Sequence, residues 1–278
     1  MRAPLTATSA AAATLAALAL LASCATAPSR QTTASALDAI LASSRPAVDR
    51  SRDRYRHPAR TLLFFGIRPQ SRVLQVWPVT GYFTRIIAPL VRRRGRFYAG
   101  VIAPGDSPFL AARLARYRSM LESRPHLYDR VRVVPFPAGG GEVLPPGSVN
   151  LALAFGDLHR WMALGVAPQA LATIYRALAP GGVLGVVDNR GDPSIAQDPR
   201  ARNGYVRQDY AIRLIESVGF RLVATSEVNA NPLDTRHYPA GVWTLPPVYR
   251  LGQIDRARYA AIGESDRFTL KFVKPGGP

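Results

Sequence analysis

The residues best suited to proton transfer lie in Phe155-Gly156-Asp157-Leu158-His159-Arg160-Trp161, directly after the apolar run Val149 to Phe155. An imidazole with a pKa near neutrality can take a proton from an oxygen or nitrogen nucleophile, and His159 is the candidate here. Asp157 stands two residues before it, as a carboxylate able to orient the ring or, equally, to cap the turn that follows. A second group, Asp188-Asn189-Arg190, ends the apolar run from Val183 and suits either a substrate contact or a loop cap. Glu227, Asn229, Asn231 and His237 form a third set that could line a pocket or, the preferred reading, satisfy loop backbone as Asx-type turns. Tyr205 and Asp209 read as structural, with Asp209 complementing a helix N-terminus. The four histidines, His57, His126, His159 and His237, show no helical ligand spacing, so no metal site is expected. Glu264-Ser265-Asp266 has no histidine beside it in sequence, and no nucleophilic triad is expected there.

These groups must be carried by an alternation of short apolar runs and helical patterns, which argues for parallel strands joined by crossover helices. Strands are expected at Val73 to Trp77, Arg96 to Ile102, Val131 to Phe136, Val149 to Phe155 and Val183 to Asp188. Leu171, Ile174, Tyr175 and Leu178 make a helical stripe that Ala179-Pro180-Gly181-Gly182 ends. A further helix from Arg207 to Val218 leads to strands at Phe220 to Val228 and Phe268 to Val273. Prolines 232, 239, 246 and 247 break the pattern between about 231 and 252, as an ordered excursion or lid. After the first strand, Trp77 to Gly81 forms a tight break before the helical stripe Phe83, Ile86, Ile87 and Leu90.

The N-terminus reads differently. Arg2, the Ala/Leu run from Ala10 to Ala22 and Leu21-Ala22-Ser23-Cys24 suggest an export signal over 1–23. Leu-Ala-Ser-Cys resembles a bacterial lipobox, with Cys24 as the lipidated residue; the alternative is a chance Ser-Cys near an ordinary cleavage site. Cys24 is the single cysteine, which excludes an intramolecular disulfide. Residues 24–45 then form a tether, and 46–278 the folded domain. The net charge of +18 rests almost wholly on arginine and favours anionic surfaces such as lipid headgroups or lipopolysaccharide. The run Arg50, Arg52, Arg54 and Arg56 reads as a solvated face, and no specific nucleic-acid site is expected because stacking aromatics do not interleave it.

The segment Leu178 to Asp188, LAPGGVLGVVD, followed by Val218-Gly219-Phe220 and a last strand, resembles the second half of a class I S-adenosylmethionine-dependent methyltransferase. From Pro46 to Pro275 the chain resembles a group of bacterial predicted methyltransferases, often with signal peptides. That likeness rests on FFGIRP, WPVTGYFTRIIAP, DLHRWM, GVVDNR, GYVRQDY, NANPLDT, GVWTLPP and AIGESDRFTLKF. The resemblance implies a Rossmann-like seven-stranded α/β sheet with a reversed last strand, binding S-adenosylmethionine at the carboxyl ends of its first strands. Trp77, Gly81, Tyr82 and Asp157 would then contact the cofactor. His159 and Asp157 would be catalytic, while Trp161, Asp188, Asn189 and Arg190 would face a small-molecule acceptor.

The sequence departs from the family pattern at three places. Gln75 stands near the place of the usual first acid, Val79 and Thr80 replace glycines, and the second strand ends Ala99-Gly100-Val101-Ile102 without a ribose-binding carboxylate. Asp106 is the nearest acid, past a Pro-Gly turn. Two functions follow as expectations: a methyltransferase, or a catalytically degenerate protein of the same fold. The second would bind or scaffold at the cell envelope, held through Cys24 and facing the periplasm.

Overall fold

The computed structural model describes residues 29–78, 80–105 and 107–276. The expected signal peptide, Cys24, Val79 and Asp106 lie outside the described residues. Seven strands form one sheet: β1 (Arg72–Val76), β2 (Arg96–Val101), β3 (Val131–Pro135), β4 (Val149–Phe155), β5 (Leu178–Asn189), β6 (Arg221–Ser226) and β7 (Arg267–Val273). Their order is β3-β2-β1-β4-β5-β7-β6. The neighbours β3, β2, β1, β4 and β5 pair in parallel, and β7 runs antiparallel between β5 and β6, giving the reversed last strand.

Both faces of the sheet are covered, so its central strands are apolar on both sides and the period of two divides them. On β4, Leu151 and Leu153 pack with Ile86 and Ile87 of the helix Thr84–Val91. Ala152 and Ala154 face the other way, with Leu171 and Ile174 of the helix Ala167–Ala177. Gly185, which interrupts the β5 run, is required by close approach: a Cβ there would lie 2.7 Å from the Phe65 ring. β5 also begins earlier than expected. Leu178 already pairs with Val149, and the Pro180-Gly181-Gly182 stretch takes up a register shift before Val183 pairs with Leu151.

The expected tether is corrected over its described part. Arg30–Ala42 is a helix capped by Ser29, whose side chain accepts from the Thr32 N–H. Ala36, Leu37, Ile40 and Leu41 join the core around Phe65 and Ile86, with Leu37 fully buried. The small, polar composition of this segment masked a narrow apolar stripe, and burying one leucine contributes about 1.5–3 kcal/mol. No helix among the described residues is long and apolar enough to cross a membrane.

Candidate active site

The carboxyl ends of β1, β4 and β5 open onto a cavity of about 380 Å³. Gln75 and Trp77 come from the end of β1, Phe155 and Gly156 from that of β4, and Val187 and Asn189 from that of β5. The proline-rich excursion covers one side with Trp243, Pro246, Pro247 and Val248. Gly156 turns the chain at φ +73°, a conformation L side chains resist, and the helix Leu158–Leu164 starts two residues later. That turn brings the His159 ring to the cavity.

His159 Nδ1 lies 2.7 Å from Asp188 Oδ1, and the His159 backbone N–H donates to Asp188 Oδ2 at 3.2 Å. The Asn189 N–H adds a third bond to this carboxylate at 2.8 Å. Burial alone would raise the pKa of Asp188; the charge and ring N–H of His159 and the two backbone donors outweigh it and hold the carboxyl below its ordinary value. An ionised carboxylate only accepts, so whenever the ring is neutral its proton sits on Nδ1 and Nε2 carries the lone pair.

Asp157 does not orient His159. Its Oδ2 accepts the Phe155 N–H at 3.0 Å, its Oδ1 has no hydrogen-bond partner among the described residues, and it does not line the cavity. Residues two apart near a helix start point to nearly opposite sides, which separates Asp157 from His159. Burial, reinforced by the Asp188 charge, pushes the Asp157 carboxyl well above the usual carboxylate range, against the pull of Arg160 and the Phe155 N–H.

The same spacing turns Trp161 inward. It is fully buried, edge-on to Trp77 at 6.0 Å and stacked with Phe136 at 6.1 Å, as core and not as a substrate wall. Strand alternation separates the third group. Asn189 lines the cavity, whereas Asp188 is fully buried beneath His159 and does not line it. Arg190 is drawn to Glu227 at 2.6 Å and Asp266 at 3.7 Å, off the cavity lining.

Trp77, Gly81 and Tyr82 do line the cavity. Trp77 adopts φ +41°, uncommon for a large side chain, and its Nε1 is buried without a partner among the described residues. Tyr82 donates its hydroxyl to Asp53 at 2.6 Å, and Phe83 stacks on Phe155 with centroids 3.7 Å apart. An adjoining lobe of about 220 Å³ at the end of β2 shares Trp77 and is otherwise largely apolar, with Val101, Ile102, Leu110 and Leu114. Gln75 is buried, and its Oε1 accepts from Thr84.

Several cavity residues were not anticipated. Arg52 and Arg56, expected on a solvated face, are largely buried against Glu264, as is Arg267. Asn229, one of the set that could line a pocket, does reach the cavity while donating to Thr61 and Thr269; Asn231 accepts from the Leu233 N–H in the expected turn. Ser265 donates to Asn189 Oδ1 at 2.7 Å. The one local signal was the Glu264-Ser265-Asp266-Arg267 cluster itself, whose partners lie far away in sequence. Among the described residues no cluster of His, Cys, Asp and Glu could hold a metal ion.

No family model matches the chain, and no curated protein matches it in sequence. Solved structures do match it in fold. A SAM-dependent methyltransferase from Aquifex aeolicus has a TM-score of 0.56 at 15% identity, covering 86% of this chain and 98% of that one. The [4+2]-cyclase SpnF follows at 0.55 and 18%, covering 80% and 81%. An arsenic(III) S-adenosylmethionine methyltransferase from Chlamydomonas reinhardtii gives 0.52 and 18%, covering 87% and 74%. With a cyclase among them, the likeness speaks for architecture before reaction. The chain has the seven-stranded Rossmann-like fold of the SAM-dependent methyltransferases, with a cavity of about 380 Å³ at the carboxyl ends of the central strands.

Proposed function

We propose that the protein is an S-adenosylmethionine-dependent methyltransferase acting on an O–H or N–H acceptor, with His159 as general base and Asp188 as the carboxylate that orients it. The observation that carries this reading is the 2.7 Å contact between His159 Nδ1 and Asp188 Oδ1 beside a cavity at the strand ends. The chemistry of the lining suits the cofactor. Val101, Ile102, Leu110 and Leu114 suit a purine, and Trp77, Phe83 and Phe155 offer aromatic rings to a sulfonium. Trp77 Nε1 is a buried donor with no partner among the described residues. When bound, the cofactor supplies an electrophilic methyl carbon. His159 Nε2 takes the proton from the acceptor, and Asp188 stabilises the imidazolium that results, a contribution of about 10²–10⁴-fold for a positioned base. The excursion residues Trp243, Pro246 and Pro247 shield that proton transfer from water. Calorimetric titration of the full chain with S-adenosylmethionine tests the reading: saturable heat below millimolar ligand is expected, and none at millimolar ligand overturns it.

One observation favours a second reading, a methyltransferase fold that binds without catalysing. Among the described residues, neither the turn after β1 nor the end of β2 presents a carboxylate to a ribose diol. In that reading Cys24 anchors the chain in the envelope, facing the periplasm, and its arginines draw it to anionic lipid or lipopolysaccharide. Replacing Val79 and Thr80 together by glycine separates the two readings. Cofactor binding that emerges solely in the glycine variant supports the second, and equal binding supports the first. Equal retention on phosphatidylglycerol and phosphatidylcholine vesicles counts against the envelope role.

A further inference from the structure

The cavity that presents His159 has a second wall that base catalysis does not use. Arg52 Nε lies 2.5 Å from Glu264 Oε1, while Arg56 Nε and Arg267 Nη1 lie 3.1 and 3.0 Å from Oε2. Three guanidinium groups therefore share one carboxylate, with side chains only 14%, 19% and 12% exposed. Arg113 and Arg160 line the same cavity, so that five arginines face it against the single carboxylate of Glu264.

The donors are not saturated. Arg52 and Arg56 each reach Glu264 through Nε, and their terminal Nη groups make no hydrogen bond with a described residue. Arg267 donates one Nη2 bond to the Tyr55 carbonyl and its Nε is buried out of reach of the cavity, so it contributes charge more than a free donor. A buried guanidinium in surplus over its carboxylates is costly unless an anion compensates it. Burial drives the Arg56 pKa down to about 10; Glu264 opposes this, and Arg52 and Arg267 add to it. A network that served stability alone would be closest to neutral, and this one presents its excess to an open cavity.

We infer that this wall binds an oxyanion, a carboxylate or phosphate carried by the acceptor, on Arg52, Arg56 and Arg267. Planar guanidinium forks match such groups with paired N–H donors. The wall and the base are braced through consecutive residues: Glu264 adjoins Ser265, which bonds Asn189, which adjoins Asp188. The anion site stands on its own geometry, and the assignment of its ligand as the methyl acceptor rests on the proposed methyl transfer.

The test titrates the full chain calorimetrically with inorganic phosphate and with succinate at low salt. Vesicles of phosphatidylglycerol form a third arm, and S-adenosylmethionine is titrated in parallel. The wild type is expected to bind at least one anion at one site per chain. The double variant Arg52→Gln/Arg56→Gln should weaken it tenfold or more. Glu264→Gln, which removes the competing carboxylate, should tighten the anion severalfold even as it lowers Tm; this variant decides the matter if the double variant does not fold. Binding to the vesicles alone, lost in the double variant, places the oxyanion on a lipid headgroup. Absence of binding in all three arms overturns the site, as does weaker anion binding in Glu264→Gln. Anion binding without S-adenosylmethionine binding leaves the site standing and removes the methyl-transfer reading.

Discussion

Where β4 and β5 end, the Asp188 carboxylate receives three hydrogen bonds and the imidazole above it is fixed before any ligand arrives. Where β1 and β2 end, the lining is largely apolar apart from Tyr117, Arg113 and Arg160 at its edge, and Trp77 Nε1 is buried without a partner among the described residues. The first half is electrostatically complete in itself; the second is mostly a shape, with donors left unspent. Changes in the first half should therefore act on chemistry and fold together, and changes in the second on binding and packing.

The sharpest test of that contrast is His159→Ala, expected to lower turnover by about 10²–10⁴-fold in single-turnover assays. S-adenosylmethionine affinity should stay within about twofold, since His159 stands in the polar half; a matching loss of affinity would merge the two halves.

Next in size is Glu264→Gln, read as stability against pH. Burial raises the Glu264 pKa, but Arg267, Arg56 and Arg52 together bring it down to about 2 from 4.5. A depressed carboxyl stabilises the fold fully above its unfolded pKa and loses that contribution as pH falls through its folded one. Denaturant titrations from pH 4.5 down to pH 2 should show the gap between wild type and variant shrinking by roughly 3 kcal/mol. A constant gap would mean that Glu264 is not held ionised by its arginines.

For the apolar half, Trp77→Phe removes Nε1 and keeps most of the ring. It should lower Tm for the lost core packing and, if Nε1 also serves the ligand, weaken S-adenosylmethionine by about fivefold, one hydrogen bond's worth. A fall in Tm with unchanged affinity would show that the indole serves packing against Trp161 and nothing else.

The smallest effect contrasts the two buried aspartates. The folded Asp157 carboxyl holds a proton that the unfolded chain releases above its ordinary 3.8, so stability declines as pH rises from there toward the raised folded value. Asp157→Asn keeps the acceptor for the Phe155 N–H and removes this dependence. A Tm gain of about 2–4 °C at pH 8, vanishing near pH 4, is expected by differential scanning calorimetry. The equivalent change at Asp188 should destabilise at both pH values, because an amide cannot replace all three of its accepted bonds.

Much of this architecture was legible in the sequence because it is written in local periodicity. The apolar runs at β1 to β5, the helix starting near Thr84 and the reversed β7 follow from strand and helix repeats and from family resemblance. The helix Arg30–Ala42 escaped because Ala, Ser and Thr resemble a linker in composition, and only packing of Leu37 into the core distinguishes the two. His159 was legible as a candidate base, but its partner was not. Proximity in sequence suggested Asp157, whereas the helix turn sends that residue away and the neighbouring strand delivers Asp188.

By itself, then, the sequence determined the order of elements, the faces they bury and the residue types gathered at the strand ends, all set by periods of a few residues. Tertiary structure alone decided which charges meet. Arg52 and Glu264 are 212 positions apart, and His159 and Asp188 are 29 apart on different elements. Such encounters depend on strand order, register and the direction of single side chains, which no local repeat encodes.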